Sequence, residues 1–289
     1  MWTQRASNFI GHADPKQPFF LEVAYNSPHF ASSGSPIPAP RDAGSCAKQA
    51  FPLPASFNAH DQVSEPAWLA SQPPRSATVQ LEQERKTCEA LRSVDDGVVS
   101  LINQLAALGR LSNTYVVLMS DNGYEFGEHS LAGKGDLYEE SIRVPLIVRG
   151  PGVRPGTIDR LTSNVDLVPT FLAWAKTSAP PGFEDGVSWA ANASGATNGA
   201  TEPDSVLLRG CRSSNQQVKP PCGGYDGLAM GMNWGLRTAD FKYIEYPDGY
   251  VQLFYLVNDP HELRNIATDP NNAALIADLH AQLVARRGF

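Results

Sequence analysis

At 289 residues the chain is long enough for one large domain, or one with a small appendage. Its composition, 42% hydrophobic and 18% charged, supplies the apolar material of a real core and excludes a disordered chain. With 23 basic and 30 acidic side chains the net charge is −7, which excludes a generally basic nucleic-acid binder, and no run of about 18 apolar residues is present to span a membrane. Met1 to Phe20 lacks a basic stretch followed by an apolar one, so no signal peptide is expected. Trp2 to Ile10 reads as the end of an amphipathic helix, with Ala6, Phe9 and Ile10 on one side. Phe19 to Tyr25, behind Pro18, is predicted to be a buried strand broken by Asn26-Ser27-Pro28-His29. Ala31 to Pro74, crowded with Pro, Ser and Ala, reads as a long surface excursion.

A helix is predicted from a cap at Thr78 to Leu108. There Leu91, Val94, Val98, Leu101, Ile102, Leu105 and Leu108 recur at three- and four-residue spacing, and Gly109 supplies the stop. Tyr115 to Met119 and Val144 to Val148 read as buried strands, ended by Ser120-Asp121-Asn122-Gly123 and Gly150-Pro151-Gly152. Asp166 to Ala175 reads as a helix interrupted early by Pro169, and Pro180 to Asp204 as a mobile connection. Beyond about Val206, Asn233–Thr238, Phe241–Tyr246 and Tyr250–Leu256 read as strands, with a turn at Pro247-Asp248-Gly249 and a closing helix from Ala273 to Arg287. This order predicts an α/β sandwich with a mostly parallel sheet over residues 1–204, then a small antiparallel sheet with one helix over 205–289.

Four cysteines allow three pairings. Cys211 and Cys222 flank a short polar loop and are the favoured disulfide, whereas Cys46 and Cys88 either pair or stay free. None forms a C-x-x-C pair, so no zinc site is expected. Asn192-Ala193-Ser194 matches a glycosylation acceptor, a pattern short enough to be frequent by chance.

In open α/β sheets, sites form outside the carboxyl ends of the strands. Two polar clusters lie there: Asn26 to His29, and Asp121-Asn122-Gly123 followed by Glu125, Glu128, His129 and Lys134. A carboxylate beside an amide oxygen suits a hard cation, and equally an ordinary Asp-Asn-Gly turn. Lys134 is either a partner for an anionic oxygen or a solvated lysine. His29 is either a proton donor or oxyanion ligand, or a satisfied structural histidine.

Taken together these segments resemble the sulfatase family. The resemblance rests on Ser120-Asp121-Asn122-Gly123, Gly127-Glu128-His129, Lys134 and the run from Tyr138 to Gly152. It continues in Pro18 to Leu21 with Ser27-Pro28-His29-Phe30, in Val165 to Thr170, in Leu236-Arg237-Thr238 with Phe241 to Ile244, and in Asn258-Asp259-Pro260 with Glu262 and Asn265. Phe57-Asn58 with Pro66-Ala67-Trp68, and the Gly150-Pro151-Gly152 ending, lean toward its N-acetylglucosamine-6-sulfatase-like branch. The resemblance implies the alkaline-phosphatase-like α/β fold and hydrolysis of sulfate esters on sulfated sugars or aryl sulfates. It implies a calcium ion, with magnesium as the alternative, held partly by Asp121 and Asn122. Lys134 and His29 would contact the sulfate, His29 also assisting the leaving oxygen. It further implies an extracytoplasmic full-length protein. Arg143 and Arg149 are further candidate cations at the mouth, Arg143 being equally a partner for Glu139 or Glu140.

The family's formylglycine nucleophile arises from a Cys or Ser in a C/S-x-P/A-x-R motif near the N-terminus, after a pair of metal-binding aspartates. Cys46, Cys211 and Cys222 lack the downstream Arg. Cys88-Glu89-Ala90-Leu91-Arg92 has the spacing, but it falls inside the periodic helix and after the Pro-His element. Asp95-Asp96 is set aside for the same reason. The first portion of a sulfatase is thus expected to be absent from this chain. The alternative expectations are an inactive remnant that at most binds sulfated glycan or calcium, and a phosphoryl hydrolase of the same superfamily.

Overall fold

A computed structural model of the chain describes residues 1–32, 34–61, 64–179, 182, 185–195, 203–211 and 232–287. In chain order the elements are α1 (Trp2–His12), α2 (Ala67–Ala70), α3 (Ala77–Ala107), β1 (Val116–Met119), β2 (Glu125–Phe126), β3 (Ala132–Gly133), α4 (Glu139–Ile142), β4 (Leu146–Arg149), α5 (Leu167–Ala175), α6 (Ala190–Ala193), β5 (Ser205–Cys211), β6 (Met232–Thr238), β7 (Phe241–Glu245), β8 (Val251–Tyr255) and α7 (Ala273–Arg287). They fall into two compact units. One is Met1–Leu53 with Arg75–Val117 and Val148–Pro151; the other is Pro54–Pro74 with Leu118–Ile147 and Gly152–Phe289.

The first unit is organised on α3. Its cap is Ser76, whose Oγ accepts from the Val79 amide, two residues before the expected cap at Thr78. Helix α1 buries Ala6 and Ile10 and is tied to α3 by Gln104 Nε2 donating to the Ser7 carbonyl at 2.9 Å. Gly97 makes room for this packing: a Cβ there would lie 2.5 Å from Thr3 Oγ1 and 2.7 Å from the Tyr25 hydroxyl. Phe19 to Tyr25 is not the buried strand expected. Phe19, Leu21, Val23 and Tyr25 are half-buried while Phe20, Glu22 and Ala24 are exposed, and the segment enters no ladder. It runs extended with one covered face. Cys46 and Cys88 form a disulfide, which fastens the long excursion to α3, as does Ser93 Oγ donating to Asp42 Oδ2 at 2.7 Å. The pairing favoured from sequence, Cys211 with Cys222, lies outside the described residues, and so does much of Pro180 to Asp204.

Strands β1 and β4 pair in a two-stranded sheet, and β2 pairs antiparallel with β3. Both β1 and β4 were expected to be buried. No residue of either is: Leu118 is 43% and Ile147 60% exposed. Pro169 does not interrupt α5; it sits in the first turn, where a missing amide breaks no helical hydrogen bond.

The second unit holds the larger core. Strands β5-β6-β7-β8 form an antiparallel sheet in that order. Strand β5 went unrecognised in the sequence; the other three and α7 match their expected places to within one residue. Alternation along the strands builds two cores. Leu236, Tyr243 and Leu253 pack with Leu279 and Leu283 of α7. Ile244 and Phe254 pack with Leu69, Leu131, Leu137 and Tyr138. The second of these cores carries the loops that follow β1.

Candidate active site

The segment after β1 turns sharply. Ser120 Oγ donates to the Asn122 carbonyl at 2.8 Å, and the Asn122 amide donates to Asp121 Oδ1 at 3.0 Å. Gly123 is required next: a Cβ there would lie 2.0 Å from the Glu140 carbonyl oxygen. Its amide donates to the Ser141 carbonyl at 2.9 Å, docking the turn on α4.

Lys134 comes from the other side of the same region. It follows β3 and is flanked by Gly133 and Gly135, with φ of 111° and 114°. Its Nζ donates to Asn122 Oδ1 at 2.7 Å. The structure thus brings Asn122 and Lys134 into contact, with Asp121 exposed beside them. His29 belongs to the first unit; it is exposed, and its Nδ1 lies 2.9 Å from the Phe30 carbonyl oxygen.

Helix α4 is anchored by a buried ion cluster that sequence reasoning missed. Lys242 of β7 is fully buried, and its Nζ lies 2.8 Å from both Glu139 Oε1 and Glu262 Oε1. Arg237 Nε donates to Glu139 Oε1 at 3.2 Å, and the Glu139 amide donates to Glu262 Oε2 at 2.7 Å. Half-buried Glu139 is served by both cations, whereas buried Glu262 shares Lys242 with it. Burial pushes the Glu262 carboxyl up to about 7 against the pull of Lys242. Burial also pushes Glu139 up, but Lys242 and Arg237 outweigh it and hold that carboxyl below its usual range. Glu140 accepts from Ser56 Oγ at 2.9 Å. The sequence-based pairing of Arg143 with Glu139 or Glu140 is therefore replaced: both carboxylates are engaged elsewhere, and Arg143 is exposed.

Behind the loops lies His129, 2% exposed and stacked on Tyr138 at 4.0 Å. Burial holds its imidazole down at about 4, with Asp136 opposing the shift. His60 is sequestered nearby, its Nε2 2.8 Å from Ser130 Oγ and its Nδ1 3.0 Å from Glu65 Oε2. Glu125 is fully buried, so it is part of the packing and not of an open surface.

As a metal site, Asp121 and Asn122 offer the right kind of oxygen for calcium or magnesium. They are two donors of the six to eight that calcium takes, and Asn122 Oδ1 is here bound to Lys134. Among the described residues no group of three or more His, Cys, Asp or Glu is placed to hold a metal. The cysteine with motif spacing, Cys88, lies in α3 and in a disulfide. The serine form of the motif also occurs, at Ser71-Gln72-Pro73-Pro74-Arg75, and was passed over in the sequence. Ser71 caps α2 and donates to the Trp68 carbonyl at 2.9 Å; like Cys88, it follows the Pro-His element.

Comparison with known proteins gives a consistent picture. The sulfatase family model matches residues 1–177. N-acetylglucosamine-6-sulfatase from Bos taurus is 32% identical over 289 residues, covering 90% of this chain and 50% of the relative. The chain therefore spans half the length of that relative. A solved structure in complex with its substrate D-glucosamine-2-N,6-O-disulfate superposes with a TM-score of 0.83 at 21% identity, covering 99% of this chain and 68% of the other. The phosphonate monoester hydrolase of Agrobacterium radiobacter superposes with a TM-score of 0.75 at 21% identity, covering 99% and 59%. These likenesses show the sulfatase-like α/β fold.

Proposed function

Since the chain belongs to the sulfatase family, we propose that it is the sulfate-binding part of a hydrolase that removes sulfate from sugars such as N-acetylglucosamine 6-sulfate. The observation that carries this reading is the 2.7 Å contact between Lys134 Nζ and Asn122 Oδ1 on the rim beyond β1. In this reading residues 1–204 are the partial catalytic domain, whose sheet is mostly parallel when complete, and 205–289 the C-terminal subdomain that anchors α4. The relative's name supports the sugar.

The roles follow from charge. Cleavage of a sulfate ester builds negative charge on the sulfate and leaving oxygens. Lys134 is an exposed ammonium held by Asn122, so it meets an arriving sulfate without searching for its position. Asp121 and Asn122 would hold calcium, or magnesium, which when bound neutralises part of the charge that develops. Asn122 would then orient both the cation and Lys134. By the family resemblance, His29 of the first unit is the candidate contact for the sulfate and acid for the leaving oxygen. Asp121, Asn122 and Lys134 bind and orient the ester; within these 289 residues no C/S-x-P/A-x-R motif precedes the Pro-His element. A longer polypeptide that supplies it would be active and, as the Cys46–Cys88 disulfide supports, extracytoplasmic. Among the described residues no helix is long and apolar enough to cross a membrane.

The test has two arms. The 289-residue chain with calcium is expected to turn over an aryl sulfate no faster than Lys134→Ala. Turnover above that control, or an aldehyde at Ser71, would overturn the missing nucleophile. A polypeptide extended upstream with the Asp-Asp pair and a C-x-P-x-R motif is expected to desulfate N-acetylglucosamine 6-sulfate, with Lys134→Ala lowering kcat by about 10²–10³. Such an enzyme indifferent to Lys134→Ala would overturn the assigned role.

A further inference from the structure

We propose that Ser141 is a positioning residue that fixes Lys134 against Asn122, using its main chain for one loop and its side chain for the other; the role assigned to the pair rests on the proposed function. Ser141 is 4% exposed in α4. Its carbonyl accepts from the Gly123 amide at 2.9 Å, next to Asn122. Its Oγ accepts from the Gly135 amide at 3.1 Å, next to Lys134. Both loops are thereby referenced to a single residue.

The need for such a clasp is local. Lys134 lies between two glycines, each with positive φ, so the backbone on either side of it has more freedom than other residue types would allow there. Pairing of β3 with β2 ends at Gly133, opposite Glu125. Past that point, the Oγ of Ser141 supplies the first backbone anchor after the lysine. The clasp is rigid in turn. The Ser141 amide donates to the Tyr138 carbonyl at 2.9 Å, and Glu139 is fixed by Lys242 at 2.8 Å. A line of contacts therefore runs from β7 through α4 to the two residues that would face a sulfate.

Ser141→Ala deletes the acceptor for Gly135 and keeps the one for Gly123. Ser141→Thr keeps both. Thr170→Ala removes an equally buried hydroxyl elsewhere in the second unit, the acceptor of the Trp189 amide at 3.0 Å. The readout is the acetylation rate of Lys134 relative to exposed Lys16 in the intact chain, without added ions, measured by peptide mass spectrometry. Ser141→Ala is expected to raise this ratio about fivefold, the scale of one net hydrogen bond, while Ser141→Thr and Thr170→Ala stay at the wild-type value. An unchanged ratio in Ser141→Ala would overturn the inference. So would an equal rise in Thr170→Ala, or a folded Ser141→Thr that behaves like Ser141→Ala. Inorganic sulfate with calcium is then added to the wild type. Failure to slow Lys134 acetylation counts against the sulfate-site reading alone, because the comparison of variants is made without either ion.

Discussion

Asn122 and Lys134 sit twelve positions apart in sequence and touch in the fold. Neither residue identifies a site alone, since Asp-Asn-Gly turns and surface lysines are common. The contact between them is what the sequence could not display. His129 offers an independent check at this scale. Its imidazole is held at about 4 by burial, against an ordinary 6.5. The unfolded chain therefore takes up a proton that the folded chain refuses as pH falls below 6.5. Stability contributed by neutral His129 is present above that pH and is lost progressively toward pH 4. The prediction is that His129→Phe, which keeps a ring against Tyr138, flattens the pH dependence of the unfolding free energy between pH 6.5 and 4 by up to about one proton. Denaturant titrations across that window measure it, and an unchanged slope would refute the buried neutral imidazole.

Helix α4 is four residues long and has no intrinsic claim to be helical. Its place comes from Lys242, Glu262 and Arg237. Arg237 reaches Glu139 across 98 residues of sequence. Periodicity cannot reveal such a partnership, and a Lys at a core position of a strand reads as an exposed one. Strands and helices with regular alternation were legible for the opposite reason: Leu236, Tyr243 and Leu253 announce one face, Ile244 and Phe254 the other. The apolar run Phe19–Tyr25 misled because composition marks extended chain, whereas a strand also needs a neighbour to complete its ladder. Removing Lys242 takes the shared cation from buried Glu262 and from half-buried Glu139, which keeps Arg237. Lys242→Met is expected to cost about 3–5 kcal/mol in chemical denaturation at neutral pH. The cost should shrink as pH falls, because Glu262, already raised to about 7, becomes neutral. In the wild type, that raised carboxyl contributes stability present below about pH 4.5 and lost as pH rises through 7. A penalty independent of pH would contradict this account of the cluster.

At the scale of the molecule, apolar residues are unevenly covered, even within the second unit. The β5–β8 sheet has a core on both faces. By contrast, β1 and β4 are almost wholly apolar and yet exposed, with Leu118, Leu146 and Ile147 at 43%, 38% and 60%. Helix α5 is apolar around its circumference and leaves Val168 45% exposed. Such elements are ordinarily buried, so the chain is expected to self-associate through them. Ile147→Lys should change unfolding free energy by no more than about 0.5 kcal/mol while lowering the sedimentation-average mass at high concentration. No change in mass would locate the association elsewhere.

The proposed site requires Asp121, Asn122 and Lys134 to share one sulfate-facing rim. The most direct measurement is a titration of the ¹⁵N-labelled chain with N-acetylglucosamine 6-sulfate in the presence of calcium. It should shift the amide signals of Asp121 to Gly123 together with those of Gly133 to Gly135, and Lys134→Ala should abolish the shifts. Signals that stay still at both loops, or that move equally with unsulfated N-acetylglucosamine, would contradict it.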